Sequence, residues 1–420
     1  MGIRRGTNLP RMGDFNQSVI VEAIRRSPAG LSRTELAEAT GLSAQTVTNI
    51  TRRLLDEELI AEAGRRITGP GKPRTILRLV AESRFSVGVH LDPALITVVL
   101  LDLAGAVVRR TTAQTPEGQP DAAIEAMAGL VGEVVDASDV DPRRIAGVGV
   151  AAPGPVDADG GSVVAPPLLP GWQRVQLRER LAEATGFPVA LEKDTAAAAV
   201  GELWTGRGPA DDSFVFLYLG TGIGAALALD GDVIRGRTRN LGEIGHIVVD
   251  PEGAPCGCGS RGCVAVTCTP EAIVRSAIRA GVLSDQARGS SEIRANEARF
   301  AQLCAKVEAA DAAAVEVMRR AAGHTAVLVA DLSNLLDVDR VVLGGPFWSP
   351  LSATYLEVIP PLVERASATR ALRSVPVVGT VVGDDVGAVG AACVVLDGIL
   401  TPRASTLLLR EADEPPAETD

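Results

Sequence analysis

Apolar residues near the start of the chain recur every three to four positions, which predicts short amphipathic helices. One such stripe covers residues 19–24. Ser32 is followed three residues later by Glu35, the spacing of a capping box, so a second helix is expected to begin there. Gly41 then predicts a turn, and the helical pattern resumes over residues 44–55. Two short helices joined by a glycine-containing turn predict a helix-turn-helix motif.

The third helix of this region has the pattern of a DNA recognition helix. Val47, Ile50 and Leu54 form its apolar face, and the opposite face is polar and nearly free of acidic residues. Two β-like runs then flank a basic, Gly/Pro-rich segment at 65–74, which predicts a wing that contacts phosphates or the minor groove. The alternative, a winged helix that binds protein, is disfavoured by the shortage of acids. The residues expected to contact DNA are polar or basic: Arg33, Ser43, Gln45, Thr46, Thr48, Asn49, Arg52, Lys72 and Arg74.

Farther along the chain, short apolar runs alternate with helical patterns, which predicts an α/β body. The runs expected to form strands are 85–90, 96–103 with a continuation to 108, 145–151, 188–191, 214–219, 225–229 and 338–343. The helical patterns cover 122–137, 177–185, 195–204, 308–335 and 388–396. We therefore predict a winged helix-turn-helix domain at 1–82, a larger domain at 83–400 and an acidic, disordered tail at 401–420.

The composition fits a well-packed protein, since 46% of the 420 residues are apolar. No apolar run approaches the roughly 18 residues of a membrane span, and the basic start of the chain has no apolar segment behind it. We therefore expect no membrane span, no signal peptide and a cytoplasmic location. The net charge of −11 is uneven, because residues 1–80 carry +5 and the remainder −16. A basic N-terminal region favours DNA as its partner.

Residues 242–263 read GEIGHIVVDPEGAPCGCGSRGC and hold three of the six cysteines. Cys256, Cys258 and Cys263, with His246, supply the three thiolates and one imidazole that suit a tetrahedral structural zinc. The alternative is a surface loop with free or transiently oxidised cysteines, and without a secretory signal a lasting disulfide is not expected. Glu243 lies three residues before His246, so on a helical turn the two would share a face. The sequence predicts a zinc site that holds Glu243 and His246 ready for a polar ligand.

Together these motifs resemble the ROK family (repressors, open reading frames and sugar kinases), which has the actin-like ATPase fold. The likeness covers nearly the whole chain, and its most specific parts are a glycine turn at 220–224, GEIGH and CGCGSRGC. APGPVD at 152–157, LLPGW at 168–172 and VVLGGPF at 341–347 also fit. The resemblance implies a sensor domain with two lobes and a sugar in the cleft between them. A winged helix in front of that domain is typical of the family's repressor branch.

The resemblance also implies roles for residues of the cleft. Asp194 corresponds to the base that acts on the sugar hydroxyl in the family's kinases, and Glu243 and His246 match the family's sugar contacts. Lys193 stands where the family has Asn, and it either pairs with Asp194 or is an ordinary surface lysine. The expected effector-binding residues are Lys193, Asp194, Glu243 and His246. The effector is a different sugar, a sugar phosphate attracted by Lys193, or absent.

The turn that binds ATP phosphates in the family's kinases is altered in this chain. His90 replaces the expected acid, Asp92 replaces the first glycine, and Pro93 has no N–H to donate. A carboxylate and a missing donor both oppose anion binding. Because phosphoryl transfer depends on positioning and charge stabilisation, we predict that kinase activity is lost and that Asp194 is a vestigial base.

These observations predict a zinc-containing repressor that binds operator DNA as a homodimer or homotetramer and responds to a carbohydrate-derived effector. One alternative is an ATP-dependent hexose kinase with an added DNA-binding domain, which requires the turn at 90–94 to bind ATP. Another is a DNA-bound scaffold that responds to a protein partner, and it requires that sugars leave the stability of the protein unchanged.

Overall fold

The computed structural model of the protein describes residues 9–67, 73–206, 212–285 and 292–400, which form two compact units. The elements of the first unit are the helices Leu9–Arg25 (α1), Arg33–Thr40 (α2) and Ala44–Asp56 (α3) and the strands Leu31–Ser32 (β1), Ile60–Arg66 (β2) and Arg74–Leu79 (β3). The strands lie in the order β1-β3-β2, and β2 and β3 form an antiparallel hairpin. This is the predicted winged helix-turn-helix. The predicted tail at 401–420 lies outside the described residues.

Helix caps and a small apolar core explain how this unit folds. The Glu35 backbone N–H donates to the Ser32 hydroxyl at 3.3 Å, and the Ser32 N–H donates to the Glu35 carboxylate at 2.7 Å, so the capping box is confirmed. Gly41 ends α2 with a φ of 69°, and Ser43 caps α3. The core draws on all three helices through Ile20, Ile24, Leu36, Val47 and Leu54. The turn between α2 and α3 is therefore fixed at both ends.

The second unit contains two five-stranded sheets. Its strands are Phe85–Leu91 (β4), Leu95–Asp102 (β5), Val107–Gln114 (β6), Ile145–Ala152 (β7), Val156–Asp157 (β8), Ser162–Val163 (β9), Val189–Lys193 (β10), Phe214–Leu219 (β11), Ile223–Leu229 (β12), Asp232–Ile234 (β13), Arg340–Gly344 (β14) and Val377–Gly379 (β15). The first sheet has the order β10-β7-β4-β5-β6, and the second has the order β13-β12-β11-β14-β15. In each sheet three consecutive strands lie side by side, and two later strands continue beyond the first of them. The two lobes therefore repeat one topology.

Helices pack against these sheets or against one another. They are Pro120–Asp136 (α4), Leu177–Thr185 (α5), Asp194–Thr205 (α6), Val264–Thr267 (α7), Pro270–Arg279 (α8), Glu292–Glu308 (α9), Ala312–Leu336 (α10), Trp348–Ala366 (α11) and Val386–Leu400 (α12). Helix α12 approaches β7 so closely that a Cβ at Gly149 would lie 1.8 Å from the Ala391 carbonyl oxygen. The predicted α/β fold with two lobes is confirmed. Among the described residues, every helix falls short of the length and apolar content needed to cross a bilayer.

Among the predicted elements, a strand and a turn have clearly different bounds in the structure. The strand that follows β5 runs to Gln114, well past the expected end at residue 108, because it pairs with β5 along nearly its whole length. The glycine turn expected at 220–224 is shorter, because Ile223 and Gly224 already pair with β11 as the start of β12. Residues 220–222 are thus the turn that joins the first two strands of the second lobe. Residues 92–94 are the corresponding turn of the first lobe.

Candidate functional site

The outer face of α3 carries polar side chains that stand apart from the core. Gln45, Asn49 and Arg52 are exposed, and Thr46 and Thr48 are half-buried. The Gln45 side-chain amide donates to Asn49 Oδ1 at 3.3 Å, so the two amides lie next to each other on the helix surface. Amide side chains donate to and accept from base edges in a major groove. This face of α3 is therefore suited to contact DNA.

The other predicted DNA contacts have different environments. Ser43 serves as the cap of α3. Arg33 Nε donates to the Thr51 hydroxyl at 3.0 Å, which ties this half-buried arginine to α3. Arg74 is exposed at the start of β3, and Lys72 lies outside the described residues. Arg74 and the outer face of α3 thus supply the exposed side chains of this candidate DNA surface.

Four side chains of the second unit could hold a metal ion, and they are those predicted: His246, Cys256, Cys258 and Cys263. Their ligand atoms all lie within 4.8 Å of one another. Cys258 Sγ is 3.7 Å from Cys263 Sγ, and Cys256 Sγ is 3.4 Å from His246 Nδ1. Zinc–sulfur bonds of about 2.3 Å place tetrahedral sulfurs about 3.8 Å apart. The donor set and its spacing therefore fit zinc.

Backbone packing and hydrogen bonds shape this thiol cluster. Gly262 has a φ of +60°, and a Cβ there would lie 1.5 Å from the Asp250 carbonyl oxygen, so the loop requires glycine. Hydrogen bonds from the Ser260 backbone N–H and hydroxyl lower the pKa of Cys258 to about 6. Burial raises the pKa of Cys263 to about 12. A bound cation would favour the thiolate form of both cysteines.

A cavity of about 350 Å³ is lined by residues of both lobes. Its wall contains all four residues predicted to bind the effector: Lys193, Asp194, Glu243 and His246. The expectation that Glu243 and His246 share a helical face is wrong, because this segment is an irregular turn. The Ile247 N–H closes that turn on the Ile244 carbonyl at 3.1 Å. His246 therefore belongs both to the thiol cluster and to the cavity.

Lys193 has a different environment from either one expected. Its side chain is only 3% exposed, so it is not a surface lysine, and its ammonium pairs with Glu243 Oε1 at 2.5 Å instead of bonding to Asp194. The ammonium also donates to the carbonyl oxygens of Leu241 at 3.2 Å and Asn240 at 3.5 Å. Lys193 thus fixes the loop that carries Glu243 against the end of β10.

Neighbouring residues strengthen this anchorage. The buried carboxylate of Glu192, the residue before Lys193, accepts from Arg235 at 2.5 Å and from Arg239 at 3.3 Å. The Asn240 side chain accepts from the Val156 N–H at 2.7 Å and donates to its carbonyl at 2.8 Å. The loop at 235–243 is therefore held to the first lobe at several points, which positions Glu243 at the cavity.

Asp194 begins α6 at the cavity wall. Burial is the main cause that raises the pKa of Asp194 to about 7, with Glu243 and Asp92 adding to the rise, whereas Lys193 opposes it. The next residue, Thr195, also lines the cavity and is 2% exposed. Its hydroxyl is buried and has no hydrogen-bond partner. Such a group costs free energy unless something bonds to it, and pattern analysis of the sequence missed it because Thr195 reads as an ordinary helix residue.

The two equivalent turns of the lobes meet at the wall of the cavity. The Thr221 hydroxyl donates to the Asp92 carboxylate at 2.9 and 3.1 Å, and the Ala94 N–H donates to the same carboxylate at 2.9 Å. His90 is buried and bonds to the Tyr218 hydroxyl at 2.9 Å. Burial lowers the pKa of His90. The sequence marked both turns, but Asp92 and Thr221 are 129 positions apart in the chain, so their contact left no local signal.

Comparison with known proteins gives the relatives of the chain. A family model described as "ROK family" matches residues 86–397, and one described as "Winged helix-turn-helix DNA-binding" matches residues 20–61. The DNA-binding transcriptional dual regulator NagC of Escherichia coli strain K12 is 27% identical over 383 residues, which cover 88% of this chain and 90% of that protein.

Two solved structures are similar to this one. A crystal structure of a ROK family transcriptional regulator, a homologue of the E. coli MLC protein, has a TM-score of 0.71 at 25% identity and covers 93% of this chain and 98% of its own. The structure of a ROK family glucokinase from Streptomyces griseus, in complex with glucose and AMPPNP, has a TM-score of 0.64 at 27% identity. It covers 74% of this chain and 98% of its own.

Proposed function

The chain belongs to the ROK family, and on that premise we propose that it is a DNA-binding transcriptional repressor that responds to a sugar-derived ligand. The observation that carries the proposal is the exposed polar face of α3. It belongs to a winged helix that shares one chain with a ROK domain and its cavity. The likeness to the regulator structure over 93% of the chain supports it, because that likeness includes the N-terminal unit.

The cleft supports sensing without phosphoryl transfer. In the turn of the first lobe the Asp92 carboxylate already accepts from Thr221 and Ala94, and Pro93 has no N–H to offer. A triphosphate would have to displace these bonds and approach a carboxylate, which repels it. We infer that the domain binds its ligand and leaves it unchanged.

We infer further that zinc occupies the thiol cluster, held by His246, Cys256, Cys258 and Cys263. It would supply structural cross-linking of the loop and no chemistry on the ligand. His246 Nδ1 faces the sulfurs, which leaves Nε2 for a ligand in the cavity. In this scheme the metal fixes the orientation of one wall of the effector site.

Effector binding must change DNA binding in a different domain of the chain. We assign DNA binding to residues 1–82 and effector binding to residues 83–400. Operators with two-fold symmetry require a dimer or a higher oligomer. A ligand that contacts both Asp194, just after β10, and His246, whose loop packs into the core of the second lobe through Ile244 and Val249, would draw the lobes together. That closure would change the spacing of two winged helices and hence their affinity for an operator.

The test is a titration of operator DNA with the purified full chain. Binding sites are first selected from fragmented genomic DNA and then labelled for fluorescence anisotropy. We expect sequence-specific binding that weakens with salt, since contacts to phosphates release counterions, and that changes when one class of sugar is added. DNA affinity that stays constant across a broad sugar panel, while a different ligand releases the operator, would overturn the proposal.

A second candidate function is hexose phosphorylation, favoured by the position of Asp194 in the cavity and by the likeness to a glucokinase. A sugar-dependent release of ADP from ATP discriminates the two. Turnover that disappears in Asp194→Asn would establish the kinase. ATP consumption at the level of a protein-free blank, in samples whose DNA binding responds to sugar, would favour the repressor.

A further inference from the structure

The sensing cavity favours one charge class of ligand. Resting on the function proposed above, we propose that the effector is a polyhydroxylated ligand without an anionic group, and that a protonated amine on it strengthens binding. Sugar phosphates and sugar acids are excluded by this proposal. The inference rests on the cation of the cavity, on its carboxylates and on one buried hydroxyl.

The ammonium of Lys193 has no donor left for a ligand. An ammonium has three N–H bonds, and three acceptors already receive them: Glu243 Oε1 at 2.5 Å, the Leu241 carbonyl at 3.2 Å and the Asn240 carbonyl at 3.5 Å. A phosphate could bind Lys193 only by displacing one of these, and the two carbonyls hold the loop in place. Lys193 therefore acts as part of the wall instead of as an anion receptor.

The remaining charged groups on the described wall of the cavity are carboxylates and His246. Asp92, Asp194, Glu243 and Glu271 line it, and Glu243 is the carboxylate that neutralises Lys193. Glu271 pairs with Arg275 on the next turn of α8. Asp92 has no such cation, and the only cation on the described wall that acts on Asp194 is Lys193, which Glu243 already pairs, so the interior carries a surplus of negative charge when Asp194 is ionised. Carboxylates accept hydrogen bonds from hydroxyl and ammonium groups and repel other anions.

One buried hydroxyl marks this wall as a ligand site. Thr195 is 2% exposed, lines the cavity and follows Asp194 at the start of α6. Its Oγ1 has no partner, although buried polar groups are nearly always bonded. We assign its missing partner to a hydroxyl of the bound ligand, which would also bond to the neighbouring Asp194. The unpaired hydroxyl is thus explained by a polar ligand at this position.

The test is a panel of hexoses matched in ring and varied in charge. Glucose, galactose and mannose are each compared with their 2-amino and 6-phosphate derivatives by calorimetry with the full chain. We expect the 6-phosphate of the best ring to bind at least about 10-fold more weakly than its parent, and the 2-amino sugar of that ring to bind more tightly than its parent. A 6-phosphate that binds more tightly than its parent overturns this inference and leaves the repressor proposal standing. A panel in which none of the nine binds overturns this inference, and the operator titration with the broad sugar panel then decides the repressor proposal separately.

Two variants assign the effect to residues. Thr195→Val is expected to weaken ligand binding about 10-fold while thermal stability stays equal or rises, because the free protein loses an unsatisfied group. Thr325→Val, a buried threonine on α10 that bonds to the Ala321 carbonyl, is the matched control and should leave ligand affinity unchanged. Thr195→Val with normal ligand affinity would overturn the role of this hydroxyl.

The charge effect has its own pair of variants. In Asp194→Asn, the ratio of the affinity for the parent sugar to the affinity for its 6-phosphate is expected to fall about 10-fold. Glu183→Gln, at an exposed position on α5, should keep the wild-type preference. An unchanged preference in Asp194→Asn would show that its charge does not select the ligand and would overturn the proposal.

Discussion

The Thr221 hydroxyl lies 2.9 Å from one oxygen of the Asp92 carboxylate and 3.1 Å from the other. Asp92 belongs to the turn between the first two strands of one lobe, and Thr221 belongs to the corresponding turn of the other. The bond therefore joins equivalent points of the two repeats. It also gives Asp92 a structural role at the position where the kinases of the family are expected to bind phosphate.

Removing the hydroxyl of this bond should weaken the contact between the two turns. Thr221→Val leaves the Asp92 carboxylate with the Ala94 N–H alone, and we expect a loss of about 1 kcal/mol in the free energy of unfolding. Urea denaturation of the full chain measures it, with Thr238→Val at an exposed position of the same lobe as control. Equal stability of the two variants would mean that the bond contributes nothing to the fold.

Replacing one ligand of the thiol cluster should lower both the zinc content and the stability of the protein. Cys258→Ser is expected to contain less than one zinc per chain by mass spectrometry. It should also unfold at a lower temperature, because its free energy of unfolding should fall by about 3 kcal/mol or more. Cys304→Ser changes a buried cysteine outside the thiol cluster. We expect it to keep its full metal content even if its stability falls. Metal content that is unaffected by Cys258→Ser contradicts the assignment.

The recognition surface should respond to loss of a single amide. Gln45→Ala is expected to weaken binding to a mapped operator by about 1–3 kcal/mol, while binding to unrelated DNA changes little, because base contacts carry the specificity. Gln302→Ala, at an exposed position on α9, is the matched control. Fluorescence anisotropy at fixed salt gives both affinities. Equal losses on specific and unrelated DNA would place Gln45 on the phosphate backbone instead.

Ionisation of Asp194 should make stability depend on pH. Because the pKa of Asp194 is raised to about 7 in the folded protein, the folded state holds this proton more tightly than the unfolded chain. The contribution of Asp194 to stability is therefore greatest in acid and falls as the pH rises from about 4 through 7. Lys193, Glu243 and Asp92 are the charged groups that act on it.

Asp194→Asn removes this dependence and should stabilise the protein at pH 8 by about 1–2 kcal/mol relative to wild type. The difference should shrink toward pH 5. Thermal unfolding at pH 5, 6, 7 and 8 in matched ionic strength measures it. A stability difference that is constant across this range would assign the effect to packing and not to ionisation.

Much of the fold was predictable because its signals are local. The capping box of Ser32 and Glu35, the cap at Ser43 and the apolar runs of the strands each depend on a few neighbouring residues. The same holds for the thiol cluster, whose four ligands lie within 18 consecutive positions. The boundaries failed where pairing decided them, as in β6, which continues to Gln114 because β5 is there to bond it.

The cavity was less predictable because its contacts join distant parts of the chain. Lys193 was expected on the surface or beside Asp194, yet its partner is Glu243, 50 positions away. The hydroxyl of Thr195 is notable only because no hydrogen-bond partner among the described residues reaches it in the folded protein, and the sequence does not reveal that. Helical spacing was also a poor guide to Glu243 and His246, since the glycines beside them favour a turn over a helix.

His246 is shared between the thiol cluster and the cavity wall, and this sharing would affect every dose–response experiment. A molecule purified without zinc would lack a fixed His246 imidazole and would not respond to the effector, whereas the zinc-loaded molecules of the same sample would respond normally. Partial loading would then reduce the amplitude of the response and leave its midpoint in place. Preparations from metal-starved cultures should therefore differ in their responsive fraction and agree in apparent affinity.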